Sequence, residues 1–319
     1  MVRAIKCGNE HDDADHDRRS AVKLAEIAPE LRLPADRLPR VPLEEAGVLQ
    51  QIRAATAQIR PVEVPGVDIE STPGWRIHRP RAARPGRTLL WIHGGGFVVG
   101  RAAQDDRLCA ETARELGITV VSVEYRLAPD AQYPAALDDC HAAWTWARDQ
   151  AGGPDGVIVG GQSAGGALAA ALVQRLCDSG ERPHAQWLFC PMLDDRTAAR
   201  RELDDRNHRG WDNRLNRFGW RSYLGVEPGA PDVPSYAVPA RREDLAGLPP
   251  AWIGVGDIDL LHDESAAYAR RLREAGVDAT LHVVSGAPHG FEAWAPDTTV
   301  TRDYLATARA WLGSRTSAP

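Results

Sequence analysis

The sequence predicts an α/β protein, a mostly parallel eight-stranded sheet with helices on both faces and a helical cap. Three observations carry this expectation. From Val62 almost to the carboxyl end, short β-branched runs alternate with helix-length amphipathic runs, the pattern of a sheet covered on both sides. The alternation fails once, after Cys190, for about fifty residues dense in Arg, Asp, Trp, Pro and Gly. Every loop of unusual composition, at 93–97, 125–129, 161–165, 256–264 and 285–291, follows a strand run. All five therefore converge on the carboxyl edge of the sheet, where open α/β folds place their sites.

Residues 1–60 are polar, with short amphipathic stretches at Ala21–Ala28 and Leu43–Ile59. Pro29, Pro34, Pro39 and Pro42 punctuate them and are expected to stop helices. This is read as a helical cap segment, too interrupted to hold a core alone, and residues 61–319 as the main domain. Val62–Val67 and Gly74–Arg79 are expected to open the sheet as an antiparallel pair, turning at Thr72-Pro73-Gly74. Thr88–Ile92 is a buried strand, followed by a helix at about Asp105–Leu116 that Gly117 closes. Ile118–Tyr125 is the next strand, and Tyr133-Pro134 opens a helix reaching about Gln150. Val157-Ile158-Val159 begins a further strand, with a helix from Ser163 to about Ser179. Gln186–Cys190 is the last strand before the insertion, whose portion at about 195–225 is read as a second cap piece. Strands at Ala251–Gly256 and Ala279–Val284 and helices at about Asp263–Glu274 and Thr298–Leu312 complete the alternation.

Composition narrows the function classes. Of 319 residues, 43% are hydrophobic and 26% charged, with a net charge of −6. The positive charges are almost all arginine and are spread along the chain, so no basic stripe points to nucleic acid. Five cysteines without close pairs (Cys7, Cys109, Cys140, Cys177, Cys190) read as reduced thiols rather than a disulfide frame or a zinc site. The run His11-Asp12-Asp13-Ala14-Asp15-His16 reads as a solvated terminus rather than a metal patch. No apolar signal region opens the chain and no run approaches the ~20 apolar residues of a membrane span. The expectation is a cytoplasmic protein.

The chemistry concentrates at Gly161-Gln162-Ser163-Ala164-Gly165. A side chain at either flanking glycine would crowd so tight a strand-to-helix turn, which would lift Ser163 above the sheet and aim the Ala164 amide at whatever Ser163 attacks. A serine hydroxyl needs a base within hydrogen-bond reach and a group to orient that base. Of ten histidines, His289 lies in a tight loop, Ser285-Gly286-Ala287-Pro288-His289-Gly290-Phe291, with no local structural need for imidazole. His78, His141, His184 and His282 fall on elements or their edges, His208 in the insertion, and His11 and His16 in the terminus. The orienting acid should follow the preceding strand. There Asp263 and Glu264 suit the first turn of the next helix, leaving Asp257 and Asp259 both open. His93-Gly94-Gly95-Gly96 offers bare amides for an oxyanion, with His93 read as a structural hydrogen-bonder holding that loop.

Taken together, His93-Gly94-Gly95-Gly96-Phe97, Tyr125-Arg126-Leu127-Ala128-Pro129, Gly161-x-Ser163-Ala164-Gly165-Gly166, Asp259-x-x-x-Asp263-Glu264 and His289-Gly290-Phe291 resemble the hormone-sensitive-lipase-like family. These are the bacterial family IV carboxylesterases of α/β-hydrolase fold. The resemblance covers residue 62 to the end and implies Ser163 as nucleophile, Asp259 as orienting acid and His289 as base. It also implies Gly95, Gly96 and Ala164 as oxyanion donors. The family motif fixes the register on Asp259 and demotes Asp257. Gln162 and Ala167 depart from the family's aspartate and asparagine. The implied activity is hydrolysis of small-molecule esters with short to medium acyl chains, with no metal or organic cofactor and a leaning towards a homodimer. Amide, lactone or carbamate hydrolysis would use the same parts, and a ligand receptor of the same fold would lack the catalytic histidine.

Overall fold

A computed structural model describes residues 22–60, 62–83 and 87–316. The acidic-histidine run, His11, His16, Cys7 and Ala21 lie outside the described residues. The sheet has eight strands: β1 Val67–Ser71, β2 Trp75–Pro80, β3 Thr88–Ile92, β4 Thr119–Val123, β5 Val157–Gln162, β6 Ala185–Phe189, β7 Ala251–Gly256 and β8 Ala279–Val284. Their order is β1-β2-β4-β3-β5-β6-β7-β8. β1 and β2, and β2 and β4, pair antiparallel; the remaining neighbours are parallel.

Period two sorts the side chains. On β3, Leu90 and Ile92 enter one core, while Leu89 and Trp91 enter the other. The first core receives α4 (Ala135–Gln150), α5 (Ala164–Asp178) and α8 (His262–Glu274). The second receives α3 (Asp106–Leu116) and α9 (Thr299–Thr316). Trp187, Phe189, Trp252 and Tyr304 meet there edge to face or tilted, with centroids 4.6–6.4 Å apart. The buried His78 of β2 bonds Asp106, which also holds Arg76 bidentately, so this histidine is a satisfied core residue.

Two local expectations are corrected. The opening strand is Val67–Ser71, not Val62–Val67, because Pro65-Gly66 turns the chain and places Val67 opposite Pro80. Pro29 does not end a helix but starts α1 (Pro29–Asp36), where its missing N–H would have no intrahelical partner, and Pro34 sits inside the same short helix. The described part of the first sixty residues packs on both sides of the sheet. Leu31 and Ala35 of α1 are buried in the second core, and the Ala28 amide bonds the Gly286 carbonyl at 2.8 Å. By contrast Leu43 and α2 (Val48–Ala57) lie against Val98 on the first side, and Arg53 donates to the carbonyls of Val98 and Ala128. The insertion forms two helices, α6 (Asp195–Ala199) and α7 (Asn213–Leu224).

Candidate active site

β5 runs directly into Ser163, which adopts φ 54° and ψ −119°, a conformation costly for any residue with a side chain. It is held there from both sides: its amide donates to Phe189, and its carbonyl accepts from Ala167 and Met192. The flanking glycines are obligatory for a second reason. A Cβ on Gly165 would stand 2.1 Å from the Ile92 carbonyl oxygen, and one on Gly161 2.3 Å from that of Gly165. The turn thus wedges Ser163 between β3 and β6 with no room for other side chains.

The loops after β7 and β8 bring the partners. His289 Nε2 lies 2.9 Å from Ser163 Oγ, and His289 Nδ1 lies 2.9 and 3.1 Å from the two carboxylate oxygens of Asp259. All three side chains are buried. Asp259 also accepts the Leu261 amide, and Trp294 donates its indole N–H to the His289 carbonyl, so the carboxylate and the residue carrying the imidazole are both held. Burial pulls the His289 imidazole down. The charge and hydrogen bond of Asp259, with the charge of Glu292, outweigh it and leave the ring above its ordinary value. Cys190 sits close enough that its sulfur and ligand atoms of Asp259 and His289 lie within 4.8 Å of one another. Both imidazole nitrogens are already engaged, and burial pushes the thiol well up.

The two aspartates left open by the sequence are separated by geometry. Asp257 bonds the loop after β8 rather than the imidazole, accepting the Gly286 amide at 2.7 Å and the Ser285 hydroxyl at 3.0 Å. It ties down the loop that carries His289, and Asp259 alone of the two meets the ring.

Opposite the serine, Gly94 packs so close that a Cβ there would lie 3.4 Å from Ser163 Cβ. Gly95 and Gly96 follow with φ 122° and 60°, and the amides of Gly95, Gly96 and Ala164 have no acceptor among the described residues. His93 holds this loop. It stacks on Tyr125 at 4.2 Å, and its Nδ1 donates to the Gly94 carbonyl. Burial, opposed by that bond, lowers its pKa to about 4, so the ring is neutral in ordinary buffers.

Known proteins resemble this chain in sequence and in fold. A family model for the alpha/beta hydrolase fold matches residues 89–293. The carboxylic ester hydrolase LipN of Mycobacterium tuberculosis is 36% identical over 231 residues, 68% of this chain and 60% of that protein. The ethyl acetate hydrolase of Pseudomonas putida is 35% identical over 227 residues, covering 68% and 70%. The solved structure of a bacterial heroin esterase superposes with a TM-score of 0.82 at 36% identity, over 92% of this chain and 99% of that one.

The chain belongs to the alpha/beta hydrolase family.

Its branch is the hormone-sensitive-lipase-like one. Within this hydrolase, several residues near the site have contacts that the sequence did not disclose. Gln162 donates to Glu292 at 2.6 Å, a buried carboxyl whose pKa burial pushes up against that bond. Gln162 is also where the chain departs from the family's aspartate, which here would have faced Glu292 as a second carboxylate. Glu264, expected only to complement a helix end, is buried and accepts the amides of Leu193 and Asp194 and the Thr197 hydroxyl, fixing the turn after β6. The insertion closes over the site. Trp211 lies where a Cβ on Gly96 would come within 2.2 Å of its ring, 6.3 Å from the His289 ring centroid. Tyr223 of α7 stacks on Phe97 at 4.1 Å, and Trp220 tilts against the same ring.

Proposed function

We infer that this hydrolase, an enzyme of the carboxylesterase class, cleaves small-molecule esters through an acyl-enzyme on Ser163. The continuous bond chain from Ser163 Oγ through His289 to Asp259 carries the reading. As Oγ attacks the ester carbonyl carbon, His289 Nε2 takes its proton and Asp259 stabilises the resulting imidazolium. The carbonyl oxygen becomes an oxyanion, received by the amides of Gly95, Gly96 and Ala164. The carbon–oxygen bond to the alcohol then breaks, and His289 returns the proton to the leaving alkoxide. Water repeats the sequence in reverse, His289 deprotonating it and then reprotonating Ser163 as the acid departs. The base must be neutral, so kcat/KM should fall as pH drops through the raised pKa of His289.

Residues 1–60 and about 195–225 are read as a cap shaping the acyl pocket for short to medium chains. The support is that Leu38 to Ile52 of the first and His208 to Leu215 of the second supply lining residues of one cavity beside Trp211. The same reading takes the protein as a cytoplasmic homodimer, to be checked by fractionation and sedimentation; among the described residues no helix is long and apolar enough to cross a membrane. Hydrolysis of 4-nitrophenyl butyrate by the wild type and its loss to background in a folded Ser163→Ala variant tests the central reading. Near-wild-type turnover in the variant would end it.

A further inference from the structure

Beside Trp211 a cavity of about 190 Å³ opens between the N-terminal segment and the insertion, with Val99 on its wall. Its position ties it to the reaction centre. The Trp211 ring lies on Gly96, and the backbone of Gly210 stands so near His289 that a Cβ there would come within 2.4 Å of its carbonyl oxygen. Val99 follows the oxyanion loop, its carbonyl oxygen 2.1 Å from where a Cβ of Gly95 would fall. A molecule seated in the cavity therefore shares walls with the catalytic groups.

The lining is of two kinds. Val41, Leu43, Ile52 and Leu215 make it apolar, while Arg40, His208 and Arg209 add polar groups. Those groups lack partners. The Nε of Arg209 and the Nδ1 of His208 are buried without a hydrogen bond, and neither Arg40 nor Arg209 holds a carboxylate among the described residues. Three other arginines of the insertion are paired: Arg201 and Arg217 with Asp204, and Arg214 with Asp205. Asp212, the carboxylate on this wall, is committed to capping α7 through the Leu215 amide at 3.0 Å. Buried donors without acceptors are costly unless a ligand supplies one. Burial lowers the pKa of His208, leaving it a neutral hydrogen-bonding ring beside the two fixed charges.

We propose that this cavity is a subsite for the non-reacting end of the ester, and that the substrate carries a carboxylate there, held by Arg209 and Arg40 with the free ring nitrogen of His208. The substrate class is then an amphipathic half-ester, apolar along its length and anionic at the end remote from the scissile bond. A guanidinium–carboxylate contact in a partly dry site contributes enough for at least a tenfold preference over a methyl group. The exposed Arg40 adds salt-sensitive attraction on approach. The inference rests on the esterase reading above.

Two matched pairs test it, one for each end of the ester. They are ethyl hydrogen glutarate against ethyl pentanoate, and 4-carboxyphenyl butyrate against 4-methylphenyl butyrate. In at least one pair the kcat/KM ratio of charged to neutral ester should reach about ten at low salt and decline towards one near 0.5 M salt, where screening is strong. The ratio should collapse in Arg40→Gln/Arg209→Gln and be largely kept by Arg209→Lys, whatever either does to absolute turnover. A ratio of one or less in both pairs overturns the proposal while leaving the esterase reading intact, as does a ratio unchanged in the double variant. Undiminished turnover of neutral esters by Ser163→Ala would instead overturn the esterase reading, and this subsite with it.

Discussion

The catalytic edge and the roof meet at Ser163, but they are built by opposite means. The edge is fixed by backbone: Gly161 and Gly165 touch carbonyl oxygens, Ser163 is locked in a strained turn, and Gly256 packs against the Ala287 carbonyl so closely that no Cβ could intervene. The roof is fixed by side chains: Tyr223 stacked on Phe97, Arg217 on Asp204, and Trp211 laid over Gly96. Backbone contacts leave a position one solution, whereas side-chain contacts can be recut one at a time. Changes at the edge should therefore alter how fast bonds break, and changes in the roof which ester is broken.

The sharpest probe of the edge is Asp259→Asn. It keeps the shape of the acid but favours the wrong imidazole tautomer, a change that costs serine proteases about 10⁴-fold in turnover. A similar loss in kcat with little change in KM is expected here, read from steady-state kinetics on one ester. The roof gives a different signature. Trp211→Ala should lower stability by about 3 kcal/mol, as truncation of a buried aromatic does. It should also shift the kcat/KM ratio of hexanoate to acetate esters by about tenfold, the scale of a methylene or two in an apolar pocket. A Trp211→Ala enzyme that lost turnover equally on both esters would erase the distinction between the two regions.

Smaller effects refine the edge itself. Asp257→Asn weakens the tether on the His289 loop without touching the ring, so a loss in kcat of about tenfold or less, ~1.4 kcal/mol of barrier, is expected. The least perturbing change is Glu292→Gln. Glu292 lends negative charge that raises the His289 pKa. Removing that charge lowers the pKa of the base, so the acid limb of the kcat/KM profile should move to lower pH. Movement to higher pH would show that Glu292 acts through position rather than charge.

Legibility in the sequence follows the same division. The edge could be read because its constraints fall on glycine and on loops directly after strands. β3, β5, β7 and β8 lie where the β-branched runs place them, and Ser163, Asp259 and His289 come together as the motif order implies. Periodicity could not separate Asp257 from Asp259, since both sit just past β7. What separates them is which backbone each oxygen meets, a tertiary fact that only the family register anticipated. The roof was legible as an interruption but not as a structure. Trp211 is one of ten tryptophans, and nothing in its neighbours shows that it lies on Gly96. Pro29 misled because it takes the first helical position, and Pro34 because tertiary burial of Leu31 and Ala35 outweighs the cost of a proline inside a two-turn helix. Glu292 left no trace, because a buried carboxyl is recognised only by its partner, and Gln162 lies 130 residues away.

The most direct measurement of the central claim is covalent. Treatment with diethyl 4-nitrophenyl phosphate, followed by intact and peptide mass spectrometry, should show a single diethylphosphoryl group. It should sit on the peptide containing Ser163, form much more slowly in Asp259→Asn, and be missing from Ser163→Ala. A single adduct on any other residue, or labelling of Ser163→Ala at the wild-type rate, would contradict Ser163 as the nucleophile.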